Sequence, residues 1–159
     1  MRRPESACSM EGLVTLRTYC RGRLIAEQRQ PNVITYNGKV QLLKLALGQS
    51  FLYGLAVAFG ENATTQTVDD VGLYEERIRV PLVSVGEVTR VGNWARVTFR
   101  ARLGKTQGNG FNFKEAALVT KAAPGTIESG DIMISRVTID PTEKSDQKHL
   151  LLQWQYTFK

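Results

Sequence analysis

Apolar and polar residues alternate with a period of two through much of this chain. The pattern is clearest near its end, where Leu150, Leu152, Trp154, Tyr156 and Phe158 fall on one side of a strand and Leu151, Gln153, Gln155 and Thr157 on the other. Residues 12–20 and 24–30 show the same habit around the turn Arg21-Gly22-Arg23 and predict an opening hairpin. Further strands are predicted over 52–60, 80–91, 93–103, 111–119 and 132–139, with polar or glycine-rich connections at 61–67, 104–110, 122–130 and 140–147. Residues 68–79 fit either a helical turn or an extended segment.

The period changes once. In residues 32–48, Val40, Leu43 and Leu47 recur at i, i+3 and i+7 beside Leu42 and Ala46, which predicts a short helix with Asn37 at its start and Gly48 closing its end. A helix this short and this apolar is expected to lie against the sheet. Many short strands with turns between them predict an all-β antiparallel sandwich, jelly-roll-like, over residues 12–159. Residues 1–11 lack periodicity and read as a flexible N-terminal arm.

At 159 residues and 42% hydrophobic content, the chain has the size and composition of one globular domain. Nowhere do some eighteen apolar residues run together, and no apolar stretch follows the two leading arginines, so neither a membrane span nor a signal peptide is expected. Cys8 and Cys20 are too few and too far apart for a disulfide scaffold or a C-x-x-C site. The net charge of +6 is concentrated early, with eight Lys or Arg against three acids in the first fifty residues.

Candidate chemistry is sparse. His149 is the only histidine, at the edge of a strand, and Gly104-Lys105-Thr106 lacks both the upstream glycine and the following helix of a phosphate-binding loop. Asp69, Asp70, Glu75 and Glu76 form the densest acidic group but lack the ligand spacing of a calcium loop. Glu115 and Asp131 form an acid pair only by free choice among the acids. No catalytic residue, metal or cofactor is expected, and the chain reads as no enzyme.

The charges with a pattern are Arg96, Arg100 and Arg102, which alternation places on one face of a strand opposite Ala95, Val97, Phe99, Ala101 and Leu103. With Arg90 nearby and Arg2 and Arg3 in the arm, they form a candidate docking surface for an acidic partner. Nucleic acid is not the expected partner, because no aromatic side chains interleave the arginines for stacking. The alternative ligand is a glycan, with Trp94, Tyr53 and Tyr74 as candidate platforms.

Asn32, Ile34, Thr35 and Gly38 spell N-x-I-T-x-x-G ahead of the helix. Gly60 ends a strand before a polar loop, Leu73, Glu76 and Arg79 spell L-x-x-E-x-x-R, and Glu115, Arg136, Lys144, Asp146 and Trp154 follow in order. This succession, over about residues 32–158, resembles small β-sandwich structural proteins of tailed bacteriophages, of the tail-fibre, collar, neck and head-decoration type. Two positions depart from it: one glycine stands where G-x-G has two, and Glu115-Ala116-Ala117-Leu118 replaces E-x-G-L. The resemblance implies a non-enzymatic virion protein, made in the host cytoplasm, that self-associates or docks on other virion proteins. It also offers Glu76, Arg79, Glu115 and Arg136 as candidate structural ion pairs.

Overall fold

A computed structural model describes residues 9–50, 54–120 and 131–159. The strands are β1 (Met10–Cys20), β2 (Arg23–Ile34), β3 (Leu55–Gly60), β4 (Glu76–Val85), β5 (Thr89–Val91), β6 (Trp94–Leu103), β7 (Asn112–Thr120), β8 (Met133–Glu143) and β9 (Lys148–Phe158), with one helix, α1 (Tyr36–Ala46). Arg2, Arg3 and Cys8 in the arm, and Tyr53, lie outside the described residues, whereas Met10 and Glu11 belong to β1.

The all-β expectation holds, but the architecture is a closed barrel and not a sandwich. The strands run in the order β4-β3-β7-β8-β2-β1-β9-β6, and β6 returns to β4, so eight antiparallel strands form one ring with β5 attached to β6. The decisive element is β4, which begins in the last four residues of the ambiguous 68–79 segment and runs into the strand predicted over 80–91, whose last three residues are β5. Its first half pairs with β3 from Glu76 to Pro81, and its second half pairs with β6 from Leu82 to Val85. A register shift between Leu82 and Ser84 marks the hand-over, as irregularities commonly do where barrels turn. Gly86 N–H then bonds the Thr98 carbonyl at 2.7 Å, and β5 continues along β6 to the Gly92-Asn93 turn.

The interior is one packed core. Val14, Leu16, Phe59, Leu103, Phe113, Leu118, Leu150, Leu152 and Trp154 are fully buried in it, as expected for eight strands enclosing a space just wide enough for side chains. The alternation read from β9 turns Leu150, Leu152, Trp154 and Tyr156 inward, while Phe158 is partly exposed at the barrel's end. Tyr156 hydroxyl meets the Ser135 hydroxyl inside the barrel, and burial raises its ionisation above the usual phenol range.

One junction is thin. β2 and β8 pair only at Val33 with Arg136 and Ile34 with Ser135, and then diverge. Two glutamine side chains span the gap. Gln28 accepts from the Asp140 N–H at 2.7 Å and donates to the Asp140 carbonyl at 3.2 Å, pairing with that residue as a strand backbone would. Gln66 accepts from the Thr138 N–H at 3.1 Å and donates to the Pro31 carbonyl at 3.3 Å.

The helix sits on the outside of β8 and faces the opposite way to expectation. Thr35, not Asn37, caps it: its hydroxyl accepts from Gly38 N–H at 3.0 Å and donates to the Met133 carbonyl at 2.8 Å, which ties the cap to the barrel. Gly38 then lies so close that a β-carbon there would stand 2.1 Å from the Ile134 carbonyl oxygen. Gly38, Gln41, Leu42 and Leu45 therefore face the barrel, and Val40, Leu43 and Leu47, predicted to be core, are exposed. Close approach at a glycine outweighed the larger apolar residues in choosing the face.

Candidate functional site

Two regions concentrate the charged residues: a buried cluster over β7 and β8, and the outer face of β6, β9, β1 and β2.

The buried cluster centres on Arg136, whose guanidinium is fully buried on the outer side of β8 beneath the 61–75 loop. It donates to Glu115 Oε2 at 2.8 and 3.0 Å, to Asp70 Oδ2 at 3.0 Å and to the Thr64 carbonyl at 2.8 Å, and it lies 4.7 Å from the centre of the Tyr74 ring. Glu115 accepts in addition from Glu75 N–H at 2.9 Å, and Asp70 accepts from the N–H and hydroxyl of Thr67 and from the Tyr74 hydroxyl. Burial pushes the Asp70 carboxyl up, but its Thr67, Arg136 and Tyr74 donors outweigh that and hold it below the usual aspartate value. Every charge here is met by an opposite charge or a backbone dipole, which is the condition for burying ions without a large penalty.

The effect of this cluster is to fasten the loop to the barrel wall. Leu73 covers a small apolar group of Ala58, Ala117, Val119 and Met133 on the outer sheet surface. Glu76 pairs with Arg79, which also reaches Asp131 at 3.1 Å. The candidate acid pair Glu115 and Asp131 is thus divided between two arginines. Asp70, Glu75 and Glu76 likewise turn to Arg136, Arg77 and Arg79 respectively. Among the described residues no group of His, Cys, Asp and Glu is placed to hold a metal ion.

Lys144 plays a similar part at the glycine-rich connection. Its buried ammonium donates to the Asn109 side chain at 2.7 Å and to the carbonyls of Ser145 and Lys105 at 2.8 and 3.4 Å. Lys105, the lysine of the phosphate-loop-like triplet, therefore has its carbonyl engaged in a turn that runs into β7, with no helix following.

On the opposite wall, Arg96, Arg100 and Arg102 occupy the outer face of β6. Register places Arg102 beside Leu151 and then Arg17, and Arg100 beside Gln153 and then Thr15. Arg17 and Arg29 share Glu27, and Arg96 reaches the Thr157 hydroxyl, whereas Arg100 and Arg102 are exposed with no ion-pair partner among the described residues. His149, stacked on Tyr19 at the same end, is held below its usual value first by burial and then by Arg102, Lys105 and Lys144. The positive field at this end of the barrel therefore acts on a neighbouring group. Arg90, by contrast, folds back on the Gly92 carbonyl in the β5–β6 turn.

The glycan platforms are not brought together. Trp94 begins β6 with the Lys159 ammonium 4.9 Å from its ring centre, and Tyr74 lies over Arg136 on the far side of the barrel.

Sequence reasoning missed Asp70 and Tyr74 as members of the Arg136 cluster, and it missed Gln28 and Gln66. The available signal for Asp70 was its place three residues after Thr67, the spacing of a side chain that bonds back to the backbone. No protein-family model matches the chain, and no curated protein and no solved structure matches it.

Proposed function

We propose that the chain is a non-enzymatic structural component of a bacteriophage virion, which docks through its arginine face on an acidic surface of neighbouring subunits, other virion proteins or copies of itself. The observation that carries the docking part is the pair Arg100 and Arg102, exposed side by side on the barrel wall with no ion-pair partner among the described residues. Uncompensated charges held on a sheet steer and orient an oppositely charged partner, and they do so without contributing much to the fold.

The virion part rests on the succession of residues that resembles phage structural proteins. Those positions are used together: Thr35 and Gly38 seat the helix on β8, while Gly60, Leu73, Glu115 and Arg136 seat the 61–75 loop. A pattern spread over the chain thus corresponds to the contacts that attach helix and loop to the barrel, which supports reading it as the signature of one folded unit.

The test is protein mass spectrometry on gradient-purified particles assembled with the wild-type chain or with Arg100→Glu plus Arg102→Glu. The wild type is expected in the particles and to be washed off as salt is raised, with the double reversal lost. Absence of the wild-type chain from particles overturns the virion reading. Equal retention of the double variant overturns the arginine docking alone.

A further inference from the structure

The helix is apolar on two opposite sides, and only one of them meets the barrel. Gly38, Gln41, Leu42 and Leu45 form the inner face at i, i+3, i+4 and i+7. Tyr36, Val40, Leu43 and Leu47 lie at spacings of four, three and four, which on a helix of 3.6 residues per turn stacks them in one stripe pointing directly away from the barrel. They are 56%, 51%, 64% and 69% exposed. An apolar stripe along a helix is normally packed against a partner.

The spacing is that of alternating a and d positions of a heptad, with Val40 and Leu47 at a and Tyr36 and Leu43 at d. Lys39 and Lys44 then occupy the flanking g and e positions, one on each side of the stripe. α1 carries no acidic residue, and neither lysine has an ion-pair partner among the described residues. Lys39 lies over the Tyr36 ring at 5.2 Å, at the edge of the stripe. In a parallel helix pair residues g and e face each other across the seam, and in an antiparallel pair g faces g and e faces e. A second copy would oppose Lys39 to Lys44 in the parallel arrangement, and in the antiparallel one would set Lys39 against Ala46 and Lys44 against Asn37, so it offers neither lysine a carboxylate.

We infer that the outer stripe of α1 is a docking site for an amphipathic helix of another protein, with an apolar heptad seam flanked by Glu or Asp. The stripe supplies the affinity, and the lysines select the partner by charge. Thr35 and Gly38 hold the helix rigidly on β8, so the site is organised before binding. This surface is separate from the arginine face and does not depend on it.

The test uses two synthetic peptides with the same leucine seam, one with glutamates and one with lysines at the flanking positions, titrated into the full chain and followed by isothermal calorimetry. The wild type is expected to bind the glutamate peptide at least tenfold more tightly than the lysine peptide. Lys39→Glu plus Lys44→Glu is expected to reverse that preference, and Leu43→Ser to weaken glutamate-peptide binding about tenfold with an unchanged melting temperature. Arg100→Glu plus Arg102→Glu is expected to bind as the wild type does, which separates this site from the arginine face. Equal affinity for the two peptides, or binding of neither, overturns the inference. So does self-association of the wild type that Leu43→Ser abolishes, because the occupant would then be a second copy.

Discussion

Gly60 and Glu115 meet across the β3–β7 pair so closely that a β-carbon at Gly60 would stand 2.4 Å from Glu115 Oε1 and 2.6 Å from the Glu75 carbonyl oxygen. The carboxylate cannot swing aside, because Arg136 and the Glu75 N–H hold it. Gly60 is thus the opening through which a charged side chain reaches backbone on the other side of a loop.

Gly60→Ala is therefore expected to destabilise the protein by about 1–3 kcal/mol, the usual cost of forcing an extra carbon into a packed site. Gly72→Ala, in the same loop but with open space around it, is the control and is expected to change stability by less than about 0.5 kcal/mol. Urea denaturation of both variants decides the matter. Equal effects would mean that the loop is not pinned at Glu115.

The Arg136 cluster predicts non-additive losses. Arg136→Met leaves Glu115 and Asp70 facing each other's surroundings without their cation, and is expected to cost about 3–5 kcal/mol. Adding Asp70→Asn and Glu115→Gln removes the stranded charges while keeping acceptors for the Thr67 and Glu75 amides. The triple variant is expected to be more stable than Arg136→Met alone. A triple variant worse than the single one would show that the ions stabilise as charges and not merely as filled partners.

Much of the barrel was legible because its strands alternate: β1, β6 and β9 announce an inner and an outer face in Val14 and Leu16, in Ala101 and Leu103, and in Leu152 and Trp154. Closure was not legible, because it depends on β4 pairing with two neighbours, and which strands a segment reaches is a tertiary fact that periodicity does not carry. The helix was found but turned around. With apolar residues on both sides, its orientation rested on Gly38 against the Ile134 backbone, a contact that side-chain hydrophobicity does not encode. The resemblance put Glu115 and Arg136 on one short roster of residues, and the fold joins them. Asp70, forty-five positions before Glu115, carried only its spacing from Thr67, which points to a local backbone bond and not to Arg136.

His149 gives the fold a pH dependence of definite sign. Burial and the cations Arg102, Lys105 and Lys144 hold its ionisation below the ordinary value of 6.5, so the folded state favours the neutral ring while the unfolded chain takes up a proton near 6.5. Between the two values the unfolded state binds more protons, and stability falls as pH drops below 6.5. His149→Phe keeps a ring to stack on Tyr19 and removes the titration. Its melting temperature is expected to change less than that of the wild type between pH 7 and pH 5. Parallel curves for the two proteins would assign that acid sensitivity to groups other than His149; Asp70, whose lowered value withdraws stability only at pH nearer 3.8 and below, acts outside this window.

The glutamine bridges make the β2–β8 junction the place where the ring opens most easily. Only two residue pairs join these strands directly, so Gln28 and Gln66 hold the remaining length with side-chain hydrogen bonds to Asp140, Thr138 and Pro31. Such bonds lie near solvent, so losing one is expected to cost only about 1 kcal/mol. The local effect is larger, because amide exchange reports opening of the particular bond. Gln28→Leu is expected to speed exchange at the Asp140 amide while leaving the β1–β9 amides unchanged, and Gln66→Leu to do the same at Thr138. The two side chains close one gap, so the double variant is expected to lose more stability than the sum of the single losses. Unchanged protection at Asp140 in Gln28→Leu would show that the strands hold together there without the side chain, and that the packed interior, not the bridge, keeps the barrel shut.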